Sequence, residues 1–249
     1  MQNIITKKKF LHLNKKASKK MSKDKNLQTN ARRVLVEADK KYRWLHQQSW
    51  LGEPCINLPE DMFALQEIVI NTKPDFIIET GVAWGGSILF GASLLKLIGG
   101  KKIIGVDTYM PLNVKKRILK HKLLSNSIKL INDDSISDKT IRKIKRVLGN
   151  SKKVLVILDS NHTHDHVLKE LNLYSKFVTK GNYLICADTI VDFIPKQTHR
   201  KRSWGPGNNP YTALKFFLKS KKNRFKVDNN ICNKLLFTNH PKGYLYATK

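Results

Sequence analysis

Four acidic residues close successive apolar runs in this chain: Glu79 after Phe76, Ile77 and Ile78, Asp107 after Lys102–Val106, Asp159 after Val154–Leu158, and Asp188 after Tyr183–Ala187. A fifth run, Ile128–Ile131, is followed by Asp134 and Ser135. Each apolar run has the length of a buried strand, and side chains just past the carboxyl ends of parallel strands line the ligand crevice of an α/β sheet. After Glu79 comes the turn "TGVAWGGS", whose Gly81, Gly85 and Gly86 let backbone approach a ligand closely.

The turn excludes two phosphate-binding loops. A P-loop needs GxxxxGK[ST], and here Gly86 is followed by Ser87 with no lysine; a dinucleotide fingerprint needs GxGxxG, and here Ala83 stands at the second glycine. What remains suits a cofactor without phosphates, such as S-adenosylmethionine, with Glu79 facing its positively charged part. Asp107, 26 residues after Gly81, stands where a ribose-hydroxyl acceptor is expected. Asp134 and Ser135 are placed to contact the adenine.

The run "LDSNHTHDH" adds the reacting groups. With the fourth and fifth strands adjacent at about 4.8 Å, Asp159 and Asp188 reach one ion. Oxygen ligands with open water positions suit Mg²⁺, or Mn²⁺ and Ca²⁺, better than zinc. Such an ion lowers the pKa of a substrate hydroxyl and holds it in line with a methyl carbon, while a base takes the proton. His162, three residues after Asp159, is the candidate base.

The elements that must position these groups alternate. Helices are expected over Ser87–Ile98, near Leu112–Leu124, over Asp138–Leu148 and over His162–Phe177, with Asn161 as the last one's N-cap. Five βα units imply an open, doubly wound parallel sheet. A Gly-, Pro- and Asn-rich loop, "RSWGPGNNPYT", follows Asp188 as a lid or acceptor wall; a helix near Thr212–Lys219 and strands Phe225–Val227 and Leu235–Thr238 complete the chain. Trp50, Trp84, Trp204 and Tyr211 are candidate sugar-stacking aromatics. Upstream, Asn30–Gln47 reads as an amphipathic helix, and Pro59 with Glu60 and Asp61 as a first helical turn.

Charge is the outstanding compositional feature. Against 19 Asp and Glu stand 47 Lys and Arg, a formal net charge of +28, and residues 1–50 hold 14 basic and three acidic side chains. Attraction to polyanions follows: an anionic membrane or lipid-linked glycan approached peripherally, or nucleic acid as the alternative. No apolar run reaches the ~18 residues of a membrane span, and the basic start lacks the features of a secretory signal. Cys55, Cys186 and Cys232 lack metal or disulfide spacing, which fits a reducing cytoplasm. The expected organisation is a basic, flexible tail over 1–28, a helical cap over 29–74 and a cofactor-binding domain over 75–249.

"ETGVAWGGS", "VILDSNHTHDHVLKEL", "DTIVDFIP", "WGPGNNPYTALKFFL" and "NKLLFTNHPKGYL", in this order from about Trp50 to Tyr246, resemble the cephalosporin hydroxylase family. Despite that name, its members resemble Rossmann-type S-adenosylmethionine-dependent O-methyltransferases related to rhamnosyl O-methyltransferases. The resemblance implies a doubly wound, mostly parallel methyltransferase sheet with a C-terminal antiparallel hairpin strand and helices on both faces. It implies a cofactor site at Glu79, Gly81, Gly85, Ser87 and Asp107, and a divalent metal near Asp159 and Asp188. Where some relatives have a Glu-Asp pair this chain has Ala187-Asp188, so one possible metal ligand is missing, a gap that Thr189 or water could fill. The expected activity is methyl transfer to a hydroxyl of a sugar, a surface-glycan precursor or a small secondary metabolite, metal-assisted, in the cytoplasm or at the inner membrane face. The partners are that acceptor and, as a further expectation, a second copy of the chain. The alternative is a nucleic-acid-binding protein or RNA methyltransferase.

Overall fold

The computed structural model describes residues 5–151, 153–219 and 224–249. A two-stranded antiparallel pair, β1 (Ser49–Trp50) and β2 (Glu53–Pro54), precedes a central seven-stranded sheet built from β3 (Phe76–Thr80), β4 (Lys102–Asp107), β5 (Ile128–Asn132), β6 (Val154–Leu158), β7 (Tyr183–Cys186), β8 (Phe225–Val227) and β9 (Tyr244–Ala247). The order is β5-β4-β3-β6-β7-β9-β8: the first five strands are parallel, and β9 runs antiparallel between β7 and β8. All five residues of β3 and of β6 are buried. Alternate side chains divide between two cores, with Ile77, Leu155 and Ile157 on one face and Ile78, Val154 and Val156 on the other. A strand buried on both faces must be apolar throughout, which is why these runs show no polar alternation.

Helices α3 (Pro59–Thr72), α4 (Gly86–Ile98) and α5 (Leu112–Leu119) cover the first face, and α6 (Asp138–Leu148), α7 (His164–Tyr174) and α8 (Pro210–Leu218) the second. Their ends follow local chemistry. Ser137 caps α6 by accepting a hydrogen bond from the Thr140 amide, Pro59 opens α3 at its first turn, and a left-handed Gly99 closes α4. The chain winds outward from β3 through β4 to β5, then returns to lay β6 on the other side of β3. That reversal opens a crevice beyond the carboxyl ends of β3, β4 and β6. Register levels the tips: Thr80 pairs with both Val106 and Leu158, and Leu158 with Cys186, so Gly81, Asp107, Asp159 and Ala187 emerge side by side.

Three expectations change. The basic segment contains α1 (Lys7–Met21), joined through a short turn to α2 (Lys25–Tyr42), so it is helical over most of its length. Leu235–Thr238 is not a strand, and β9 takes its place beside β8. The physical reason is Asp61, buried on α3, whose carboxylate accepts from the Thr238 hydroxyl, the Asn239 amide and the Tyr244 hydroxyl and pulls that segment off the sheet. At α7 the N-cap is Thr163; Asn161 stands further back and accepts from the Thr163 amide and hydroxyl. The "NNPY" segment opens α8: Asn209 is its N-cap in a reciprocal capping box with Thr212, and Pro210 fills the first helical position.

Gly81 is the tightest point of this frame. Its φ is +89°, and a Cβ there would stand 2.0 Å from the carbonyl oxygen of Asp159. Gly81→Ala is expected to lower stability by more than about 3 kcal/mol in denaturant titration; near-native stability would show that the tips of β3 and β6 have room to part.

Candidate active site

A cleft of about 720 Å³ lies over the crevice. Its floor holds Gly81, Gly85, Ser87, Asp107, Asp134 and Ser135 at one end and Asp159, His162 and Asp188 at the other. α2 contributes Leu35, Val36 and Asp39 to the wall, and the loop between β7 and α8 contributes Arg200, Arg202 and Trp204. Arg200 donates to the buried Asp39 at 2.8 Å, so one partly buried ion pair ties that loop to α2 across the cleft. This clamp joins residues 161 positions apart, and no local pattern pointed to it.

The glycine turn is fastened from β4. Asp107 Oδ2 accepts from the Val82 amide at 2.8 Å and the Ala83 amide at 3.3 Å, and Oδ1 accepts from the Tyr109 amide. Ala83 is held at φ 46°, a conformation rare without a glycine. Asp107 therefore shapes the turn, and faces the cleft while doing so. Gly85 is favoured by its left-handed backbone, φ +89°, and a Cβ there would also press on the end of the Ile118 side chain.

Glu79 is placed differently from the other acids. It is 3% exposed and lines a small side cavity of about 30 Å³ that also touches Asp61, Ser87, Asp159 and Tyr244, behind the main cleft. Burial raises its pKa to about 7, and a hydrogen bond from Ser87 offsets part of that rise. Asp159 is pushed well above the usual carboxylate range, first by burial and then by the negative charges of Asp188, Glu79, Glu170 and Asp61. The ion pairs of lysine and arginine among the described residues go to Glu37, Glu53, Glu67, Asp39, Asp133 and Asp192 instead. Carboxylates left without a lysine or arginine ion pair among the described residues, in a chain of net +28, make this end of the cleft a candidate site for a cation.

His162 stands in that field. Its Nδ1 is 3.4 Å from Asp188 Oδ2, and its ring lies 4.9 Å from that of Trp204, centroid to centroid. One ligand atom from each of Asp159, His162 and Asp188 lies within 4.8 Å of the other two, a spacing that fits a single ion. Asp188 reaches this position with a left-handed backbone, φ 50°, its amide donating to His240 Nδ1. Thr189 is not available as a ligand: it is fully buried and its hydroxyl donates to the Pro241 carbonyl. Of the four aromatics proposed for stacking, Trp204 lines the cleft, Trp50 packs edge-on against Phe90, Tyr211 packs against Phe193, and Trp84 is exposed outside the lining.

A further network lies at the Ser135 end. His166 Nε2 is 3.1 Å from the Ser135 hydroxyl and 3.2 Å from that of Ser160, which donates to the fully buried Glu170 at 2.7 Å. His166 and Glu170 are one helical turn apart on α7, a spacing visible in the sequence, but their link to the loop after β5 is tertiary. His164 is used structurally, its amide and ring bonding Asn208 and Thr212 at the start of α8.

The family model "Rhamnosyl O-methyltransferase/CmcI" matches residues 42–248. The chain belongs to the rhamnosyl O-methyltransferase/CmcI family. Members share an O-methyltransferase identity, and the chain is an enzyme of that class. A protein named rhamnosyl O-methyltransferase from Mycobacterium tuberculosis (strain ATCC 25618 / H37Rv) is 27% identical over 216 residues, covering 84% of each chain. Among solved structures, CmcI described with SAH superposes with a TM-score of 0.57 at 16% identity, covering 82% of this chain and 84% of that one. CmcI described as Mg-SAM gives 0.55 at 16% identity, with 82% and 78% covered. At that identity the two structures speak to the fold, which matches the family's sheet.

Glu79 supplies a pH test of the buried acids. Its folded pKa lies above the ordinary 4.5, so the folded chain holds a proton there that the unfolded chain releases. Its contribution to stability is therefore lost as pH rises from 4.5 to about 7, and stays lost above. Glu79→Gln is expected to raise the stability of the cofactor-free protein by up to about 3 kcal/mol near pH 8 and by little near pH 5. Equal effects in thermal melts at the two pH values would contradict the assignment.

Proposed function

We propose that this enzyme transfers the methyl group of S-adenosylmethionine to a sugar hydroxyl, on a glycan precursor or a small glycosylated metabolite, with a divalent cation at Asp159 and Asp188. The observation that carries the proposal is the convergence of Asp159, His162 and Asp188 beside the glycine turn in one cleft. The donor set fits a hard cation: two carboxylates, with the His162 imidazole beside them, that form no ion pair with a lysine or arginine among the described residues. Mg²⁺ or Mn²⁺ bound there would supply Lewis acidity, making a nearby hydroxyl easier to deprotonate.

The turn from Gly81 to Gly85, Ser87, Asp107, Asp134 and Ser135 would hold the cofactor, which supplies an electrophilic methyl on a positive sulfur. Glu79, behind Ser87, acts on that site through its charge rather than by contact. Asp188 orients His162 through Nδ1, leaving Nε2 to take the acceptor's proton. S-adenosylmethionine held at the turn would supply the methyl group to the acceptor oxygen, its carbon–sulfur bond giving way to the new carbon–oxygen bond with S-adenosylhomocysteine as the leaving product. Trp204, stacked near His162, offers an apolar face to a sugar's C–H groups, in keeping with the rhamnosyl name of the relatives.

The test is transfer of labelled methyl from S-adenosylmethionine to rhamnose-bearing and other glycoside acceptors. Asp159→Asn is expected to reduce turnover at least about 10²-fold while S-adenosylhomocysteine affinity stays within a few-fold. His162→Ala is expected to lower turnover by about 10²-fold with metal affinity retained. Loss of metal affinity in that variant would make His162 a third ligand, and normal turnover in both variants would remove metal and base from the mechanism.

A further inference from the structure

None of the fifteen residues of α1 is buried, although the helix is formed and capped, with Thr6 accepting from the Lys9 amide. Two faces are written into it. Phe10, Leu13, Ala17 and Met21 recur at spacings of three and four and share one side, while Lys8, Lys15 and Lys19 share the opposite one. Seven lysines and no acid lie between Lys7 and Met21. Phe10, Leu11 and Leu13 are 51%, 54% and 46% exposed, so the apolar side covers nothing among the described residues. Leaving such a face in water forgoes the burial that normally justifies an amphipathic helix.

The occupant must match both sides of the helix. A nucleic acid would neutralise the lysines and leave Phe10 and Leu13 in water; an acidic protein groove would take the apolar face but meet few of the seven charges. An anionic bilayer surface takes both at once, phosphates against the lysines and the headgroup–acyl boundary against the aromatic and leucine side chains. No helix among the described residues is long and apolar enough to cross a membrane, so such contact would lie in the plane of the surface.

We infer that α1 is an in-plane docking helix for anionic lipid bilayers. Its connection to α2 is short and held: the Gln28 side chain donates back to the Met21 carbonyl, and Asp24 caps α2 through the Leu27 amide. α2 in turn walls the cleft with Leu35, Val36 and Asp39. Docking therefore brings the cleft to the surface, which makes a membrane-presented glycan the favoured acceptor; that consequence rests on the methyl-transfer reading, and the docking itself does not.

The full chain is tested by co-sedimentation with phosphatidylcholine vesicles, with and without phosphatidylglycerol, at about 150 mM salt. Saturable binding is expected to the anionic vesicles and at least about tenfold weaker binding to the neutral ones. Phe10→Gln/Leu13→Gln and, separately, Lys15→Gln/Lys19→Gln are each expected to weaken anionic-vesicle binding at least about tenfold. These exposed positions lie outside the cleft, so S-adenosylhomocysteine affinity, measured on the same samples, stays unchanged; failure of that control in the unaltered chain would count against the methyl-transfer reading alone. Vesicle binding that survives Phe10→Gln/Leu13→Gln, or binding to an unstructured RNA in place of the vesicles, overturns the proposal.

Discussion

Uncompensated negative charge at one end of a parallel sheet is the constraint around which this molecule is arranged. Asp159 feels Asp188, Glu79, Glu170 and Asp61 together, and no lysine or arginine among the described residues forms an ion pair with it. Charges of one sign held this close, in partly dehydrated surroundings, raise one another's proton affinity and cost stability. The fold absorbs some of this through hydrogen bonds, from Ser87 to Glu79, Ser160 to Glu170, and Thr238, Asn239 and Tyr244 to Asp61. Asp159 and Asp188 are left facing the cleft with His162 between them and solvent. A cation bound there would offset much of the remaining repulsion, so the mutual repulsion of these acids and their affinity for a cation have the same origin.

The rest of the frame keeps those tips in place. Gly81 lets β3 and β6 continue their ladder to the crevice edge, where the Asp159 amide donates to the Thr80 carbonyl. Asp107 fixes the turn from the other side, and the partly buried Arg200–Asp39 pair bridges the mouth. Polar residues on the loop before α8 serve the same end. Asn209 donates to Asp192 and to the Gly205 carbonyl, and Asn208 accepts from the amide that opens α7, which holds Trp204 over His162.

Much of this was legible in the chain because the strands are buried on both faces. Val154–Leu158 and Lys102–Asp107 have the expected bounds, since an uninterrupted apolar run ending in an acid has few other readings. The acids at the tips followed from the same pattern, and the register places Asp107 and Asp159 abreast. What escaped was set by partners far away in sequence. Leu235–Thr238 has strand-like side chains, yet Asp61 claims Thr238 and Asn239, 177 and 178 positions from it. Glu79 reads as a cleft residue because it ends a strand, but alternation turns its side chain toward the α3 side, where Asp61 and Tyr244 share its cavity. Thr189 looked able to replace a missing ligand until its hydroxyl was committed to Pro241. The clamp of Asp39 and Arg200 and the link from Ser135 to His166 join separate elements and leave no periodic trace.

The central claim is that the glycine turn and the acid cluster form one site for an adenosyl cofactor beside a cation. Calorimetric titration of the full chain with S-adenosylhomocysteine in Mg²⁺-containing buffer tests it most directly. The account predicts one molecule bound per chain with a Kd on the order of micromolar. Absence of saturable binding would contradict it, and would leave the cleft as a cradle for some other ligand.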